Sequence, residues 1–209
     1  YSLVQHTGEY FEYLPDEYAA IRDTYIRFRD AQIAARGVQT NAIWEAIPEI
    51  SKASGLGFYE LAREMQRLSL WLIRHHPDLY LNNVIEGWIS FWKAPVYWRP
   101  EAVQSLFAGV FLSGMAVVGR GISLLANFLF LAFSALVVVS AKWRRRLRFD
   151  LSSIAVGGMI WMISILQTFL DHGDNPRFLV PLQVLVIYLV VRSLWFWSRG
   201  RVELEVMDR

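Results

Sequence analysis

The stretch Leu151–Leu170, LSSIAVGGMIWMISILQTFL, runs for 20 residues without a charged side chain and is bracketed by Asp150 and Asp171. A helix of that length spans roughly 30 Å, the thickness of the hydrocarbon layer of a bilayer. Two similar stretches flank it. Gly121–Ala141 (GISLLANFLFLAFSALVVVSA) is uncharged up to Lys142, and Phe178–Trp197 is interrupted only by Arg192, near its end. An arginine there can reach the interface with its guanidinium while its stem stays in hydrocarbon. Trp195, Phe196 and Trp197 beside it suit the same interface. Spans are therefore expected near 120–141, 151–170 and 178–197.

Residues 102–118 are apolar but softened by Gln104, Ser105, Gly109, Ser113 and Gly114, and only Gly119-Arg120-Gly121 joins them to the next run. Two readings stand. An interfacial or re-entrant helix leaves three spans, the reading preferred here, and a helical hairpin with Arg120 at its tip makes four. The loop KWRRRLR sets orientation: Lys142, Arg144, Arg145, Arg146 and Arg148 are five positive charges in seven residues. Short basic loops stay in the cytoplasm. With three spans, residues 1–100 and Asp171–Arg177 then lie outside.

Composition agrees with this division. The chain is 55% hydrophobic and 19% charged, against about a quarter charged in ordinary soluble domains. Disorder, collagen and a disulfide scaffold are excluded, the last because there is no cysteine. Residues 1–100 hold 10 Lys/Arg against 12 Asp/Glu, and residues 101–209 hold 11 against 7. The pI near 9 comes from basic residues beside apolar runs, so no nucleic-acid partner is implied. Tyr1 opens the sequence without a basic or apolar leader, and a piece of a longer membrane protein is expected.

The first hundred residues read as an amphipathic helical region outside the membrane. Residues 1–14 show no period and are taken as irregular and partly packed. A helix opens at Pro15-Asp16-Glu17 and stops at Gly37; another runs over Asn41–Ser51, and Ser54-Gly55-Leu56-Gly57 is a break. Phe58, Leu61, Met65, Leu68 and Leu72 then mark an amphipathic helix ending near His76, and Pro77 starts the next. Trp88, Phe91, Trp92, Tyr97 and Trp98 are expected to form an aromatic belt at the bilayer surface. The fold class is all-α: a polytopic membrane protein, with residues 1–100 outside the membrane and 101–209 spanning it about three times.

Phosphate loops, nucleophile elbows and helical zinc pairs are absent from the sequence, and His75-His76 is adjacent rather than at ligand spacing. The informative segment is DHGDNPRFLVPLQVLVIYLV, Asp171–Val190. Its Gly173, Asp174, Asn175, Arg177, Phe178 and Pro181 resemble the loop G-[DE]-N-x-R-[FY]-x-x-P that opens the last span of GT-C glycosyltransferases. These are the bacterial relatives of protein mannosyltransferases and aminoarabinose transferases. His76–Trp92 is similar to the amphipathic helix those enzymes place before their last spans, and Ala126–Leu131 fits the following one.

The resemblance implies the carboxyl-terminal part of a multi-pass, inner-membrane enzyme of the hexosyltransferase type. Its donor is a polyprenyl-phosphate-linked sugar and its acceptor is extracytoplasmic. No cofactor and no metal site are implied; the partners are membrane lipid and the preceding transmembrane region of the same protein. Arg177 would meet the lipid phosphate bidentately, with His172, Asp174 and Asn175 as further substrate-binding candidates. The alternative for Arg177 is pairing with Asp171 or Asp174 to anchor the helix. The family's catalytic acids lie in an early external loop that has no counterpart here, so the catalytic base is unknown; Glu9, Asp16 and Glu17 are read as helix-end acids. From a different class, a non-catalytic membrane subunit whose helical region docks a partner remains the alternative. A transporter is disfavoured because Arg192 is the only ionisable group in the three expected spans.

Overall fold

Helices account for all regular structure among the described residues, and local chemistry explains where they stop. The computed structural model describes every residue except 38, 40–41, 95–102, 104, 171–174 and 208–209. For residues 36, 175–176 and 200–207 it describes the backbone alone. Tyr97 and Trp98 thus lie outside the described residues. The chain divides into two compact units: Tyr1–Ser90 with Ile165–Asn175, and Phe91–Ser164 with Pro176–Arg209. The return of Ile165–Asn175 to the first unit is not foreseen by a boundary near residue 100.

The first unit begins with α1 (Val4–Thr7) and a 3-10 helix, Gly8–Tyr13, kinked at Tyr10. The expectation of an irregular, partly packed start is corrected: Val4, Phe11 and Leu14 are among its most buried side chains. A four-residue turn followed by a kinked 3-10 segment has no single period, so its core positions carry no pattern. A short 3-10 turn, Asp16–Tyr18, leads into α2 (Ala19–Arg36), which stops at Gly37 with φ 74°. That left-handed cap suits glycine.

α3 (Ala42–Ser54) carries Pro48 internally, and Gly55 turns the chain at φ 72°. In α4 (Phe58–His75) the amide of Gly57 donates to the Glu60 carboxylate, 3.1 Å. Leu61, Met65, Leu68 and Leu72 all point into the core, each contributing roughly 1.5–3 kcal/mol by leaving water. α5 (Pro77–Phe91) follows. Its Asn83 donates to the buried carbonyl of His6, 2.8 Å, and the Tyr80 hydroxyl to the carbonyl of Phe169, 2.8 Å.

The second unit contains the long apolar helices. α6 (Leu106–Val139) is one 34-residue helix, capped by Ser105 and passing through Gly119-Arg120-Gly121 without a break. The hairpin is therefore overturned, and so is a separate 102–118 segment. One glycine on each side of a non-helix-breaking arginine costs only about 2 kcal/mol of propensity, which the apolar residues around them outweigh. Arg120 consequently stands near the middle of a continuous helix, so Arg192 is not the only cation within the long apolar helices. Extended backbone at Ser140 ends α6; α7 (Ala141–Arg146) is a short basic helix.

α8 (Leu151–Leu170) coincides with the uncharged run between Asp150 and Asp171. Asp150 caps it, accepting from the Ser153 amide at 3.0 Å and from the hydroxyls of Ser153 and Ser152 at 2.7 and 2.9 Å. These hydrogen bonds, with Arg192 nearby, hold the Asp150 carboxyl well below the usual carboxylate range. The last run is not one α-helix: α9 (Asn175–Leu179) passes through a 3-10 turn at Val180–Leu182, containing Pro181, into α10 (Gln183–Met207). Proline supplies no amide for the α-helical bond and so forces this tighter turn. Three helices are long and apolar enough to cross a membrane: Leu106–Val139, Leu151–Leu170 and Arg177–Arg199.

Phe91 and Trp92 do not form a surface belt. Both are buried, with Trp92 on Phe130 and Trp161 at ring separations of 5.6 and 5.9 Å. An aromatic cluster beside apolar runs signals burial as readily as an interface, and here packing against α6 and α8 wins.

Two positions make this fold testable. A Cβ on Gly8 would fall 2.1 Å from Oη of Tyr25, whose ring is only 1% exposed and hemmed by Phe11. Gly8→Ala should destabilise the first unit by about 1–3 kcal/mol, seen as a lower thermal midpoint. Close by, Arg29 holds Glu12 bidentately, donates to the carbonyls of Gly8 and Glu9 at 3.0 and 3.2 Å, and pairs with Asp30. The Arg29 hydrogen bonds lower the Glu12 pKa. A depressed folded pKa stabilises above the unfolded value, about 4.3, and that stabilisation is lost as pH falls through the folded value. Glu12→Gln should therefore be less stable at pH 7 and lose less stability between about pH 5 and pH 3 in acid titrations.

Candidate functional site

Apolar helices in close contact normally leave few polar groups between them, so the buried polar groups of the second unit mark the contacts that join its helices. Asn127 of α6 is 2% exposed. It donates to the Trp92 carbonyl, 2.9 Å, and accepts from Nε2 of Gln183 at the start of α10, 3.0 Å. Sequence reasoning passed over both residues. Yet each is the lone amide in its apolar run, and a lone amide in such a run needs a partner.

Next to this bridge lies an apolar cavity of about 210 Å³ between α6, α8 and α10. Phe130 and Phe133, Gly157 and Trp161, and Leu189 and Ser193 represent its three walls. Gly157 and Gly158 open it on the α8 side, since neither has a side chain to fill the space. Trp161 crosses the cavity wall, and its indole N–H donates to Oγ of Ser134, 3.2 Å.

The far end of the cavity meets the basic loop. Nη1 of Arg144 donates to the carbonyls of Val137 and Val138, 2.9 and 3.2 Å, both lining residues. Arg192 donates to the Arg148 carbonyl, 3.0 Å, and pairs with Asp150, 2.9 Å. Arg148, in the left-handed region at φ 46°, and Arg192 both lie over the Phe196 ring, 5.2 and 5.0 Å from its centroid. Arg192 thus joins α10 to the cap of α8.

The loop singled out by sequence lies mostly outside the described residues: His172 and Asp174 entirely, and Asn175 in its side chain. Arg177 is described. It is exposed, in the α9 turn that precedes the last long helix, with its guanidinium 4.9 Å from the Phe178 ring centroid. The early acids are structural. Glu9 accepts from Gln39 at 2.9 Å, Asp16 pairs with Arg22 at 2.9 Å, and Asp16 and Glu17 occupy the first turn of a 3-10 helix. His75 donates to the Trp71 carbonyl, 2.8 Å, and stacks on that indole, whereas His76 lies against Tyr13. Among the described residues no three His, Asp or Glu side chains come close enough to hold a metal ion.

No family model, curated protein or solved structure matches the chain.

Removing the Asn127 amide should loosen the second unit without unfolding the first. Asn127→Ala is expected to cost about 0.5–2 kcal/mol, the range of interhelical hydrogen bonds among apolar helices. Thermal unfolding of the detergent-solubilised chain measures this, and Gln183→Ala should lose less because Asn127 keeps its bond to Trp92.

Proposed function

We propose that this chain is the carboxyl-terminal part of an integral-membrane glycosyltransferase. In this reading it moves a sugar from a polyprenyl-phosphate donor to an acceptor outside a bacterial inner membrane, and Arg177 helps to hold the lipid phosphate. The observation that carries the reading is the position of Arg177. Its exposed guanidinium stands one turn before Pro181 at the head of an apolar helix, within the loop Gly173–Pro181 that resembles those enzymes. At headgroup depth a guanidinium can grip a phosphate with two parallel bonds while its stem rests on apolar surface.

Membrane residence is supported by the outward faces of the long helices. Val184, Tyr188 and Val191 on α10 and Leu151, Met162 and Leu166 on α8 are exposed, and apolar surface on that scale belongs in lipid or against another protein. The five-positive loop then lies in the cytoplasm, and residues 1–100 and Asp171–Arg177 lie outside. The second reading, a membrane subunit that docks a partner, is favoured by one surface of the first unit. There Trp44, Phe58 and Tyr59 are exposed and the first two gather on Tyr1.

The lipid-phosphate role predicts that Arg177→Ala binds polyprenyl phosphate about 10- to 100-fold more weakly, since charge-assisted bonds are worth roughly 1.5–3 kcal/mol each. Arg177→Lys keeps the charge without the fork and should recover only part of the affinity. Unchanged binding in Arg177→Ala would leave the arginine an anchoring role only. For topology, single cysteines at Ser54 and Gly173 should both react with an impermeant thiol reagent in intact cells, and one at Arg145 should not. Protection of the Ser54 site would overturn this orientation.

A further inference from the structure

We propose that the cavity between α6, α8 and α10 binds an anionic phospholipid, with an acyl chain in the apolar space and the phosphate among the basic side chains at its end. This site is distinct from the Arg177 loop and rests on the membrane part of the reading above.

The cavity has the chemistry of a hydrocarbon site. Its lining is almost wholly apolar, and the indole N–H and hydroxyl that Trp161 and Ser134 bring to it already bond to each other. Apolar cavities of about 150 Å³ stay dry and accept small hydrocarbons. About 210 Å³ therefore accommodates a segment of an acyl chain. The space exists because Gly157 and Gly158 are adjacent on α8: a Cβ on Gly157 would make ordinary contacts with Leu189 and Phe149, 3.8 and 3.9 Å, and one on Gly158 would meet nothing within 4 Å.

Charge selects the headgroup. The arginine cluster is connected to the cavity lining itself: Arg144 bonds to the carbonyls of Val137 and Val138, Arg148 precedes lining residue Phe149, and Arg192 precedes lining residue Ser193. Residues 142–148 carry five cations, and the carboxylate of Asp150 beside them is paired with Arg192. This end of the unit is thus a cationic interface beside a hydrocarbon slot, and basic clusters flanking membrane helices attract anionic lipid. A free phosphate would leave the slot unfilled, and a neutral phospholipid would leave the cations without an anion.

The test uses the full chain, purified in mild detergent and given equimolar dioleoyl phosphatidylglycerol and dioleoyl phosphatidylcholine. Native mass spectrometry counts the lipid retained. Phosphatidylglycerol should be retained about tenfold over phosphatidylcholine, a preference that falls with added salt. Lys142→Gln combined with Arg145→Gln should bring the ratio near one while bound phosphatidylcholine stays constant. Gly158→Leu, filling the cavity, should reduce both lipids, and Gly157→Ala, which fits without strain, should reduce both partially even if the leucine variant folds poorly. Equal retention in the wild-type chain, or a ratio unmoved by the double variant, overturns the proposal. So does displacement of bound phosphatidylglycerol by inorganic phosphate, which would mean that the anion alone is held. Release of the protein from membranes by alkaline carbonate would overturn the membrane reading together with this site. A ratio of one from protein that resists carbonate overturns this site alone.

Discussion

A leucine on the surface of a protein in water is unremarkable, but a helix whose outward face is apolar for most of its length has to be covered. In the second unit α6, α8 and α10 all have such faces, and their inward faces are apolar too. The ordinary rule of polar outside and apolar inside is therefore suspended for this unit. With both faces of a helix apolar, burial of apolar surface alone does not specify which face meets a neighbour; close packing and a few polar contacts do. The Asn127 amide, the Trp161–Ser134 bond and the Arg192–Asp150 pair are those contacts. They occur at different levels of the three helices and fix which faces meet.

What could be read from residues alone depended on whether a signal was local. Leu151–Leu170 was legible because twenty uncharged residues between two aspartates admit one reading, and Gly37 and Pro77 announced a stop and a start. The amphipathic spacing of Leu61, Met65, Leu68 and Leu72 gave the core face of α4. The first fourteen residues failed because Val4, Phe11 and Leu14 enter the core from a short turn and a kinked 3-10 segment. Phe91 and Trp92 failed for another reason: whether an aromatic faces lipid or a neighbouring helix is decided by residues far away in sequence, here Phe130 and Trp161. The continuity of α6 was missed because two glycines around Arg120 look like a turn and, inside a long apolar helix, are not one.

The candidate residues were legible by type more than by arrangement. Arg177 stood out through the motif around it, and the structure adds its exposure and its place over Phe178. The basic loop seemed to serve orientation alone. Only the fold brings Arg144 onto the carbonyls beside a cavity and Arg192, some forty residues away, onto the Asp150 cap. No spacing rule reports a contact between the middle of one helix and the cap of another when a whole helix separates them in sequence.

The composition of the first unit also bears on how the chain is made. Tyr1–Ser90 joins Ile165–Asn175, and Tyr80 bonds to Phe169, so the unit cannot be completed when residue 90 leaves the ribosome. About 74 further residues, those of Phe91–Ser164, must be translated first, which at about 5–20 residues per second takes roughly 4–15 seconds. During that interval α5 has no partner for its Tyr80 hydroxyl, while the apolar stretch of α6 is already emerging. Synthesis therefore presents the most apolar of the three long helices before the first unit can close, an order in which completion of the amino-terminal fold waits on the very segment that interrupts it.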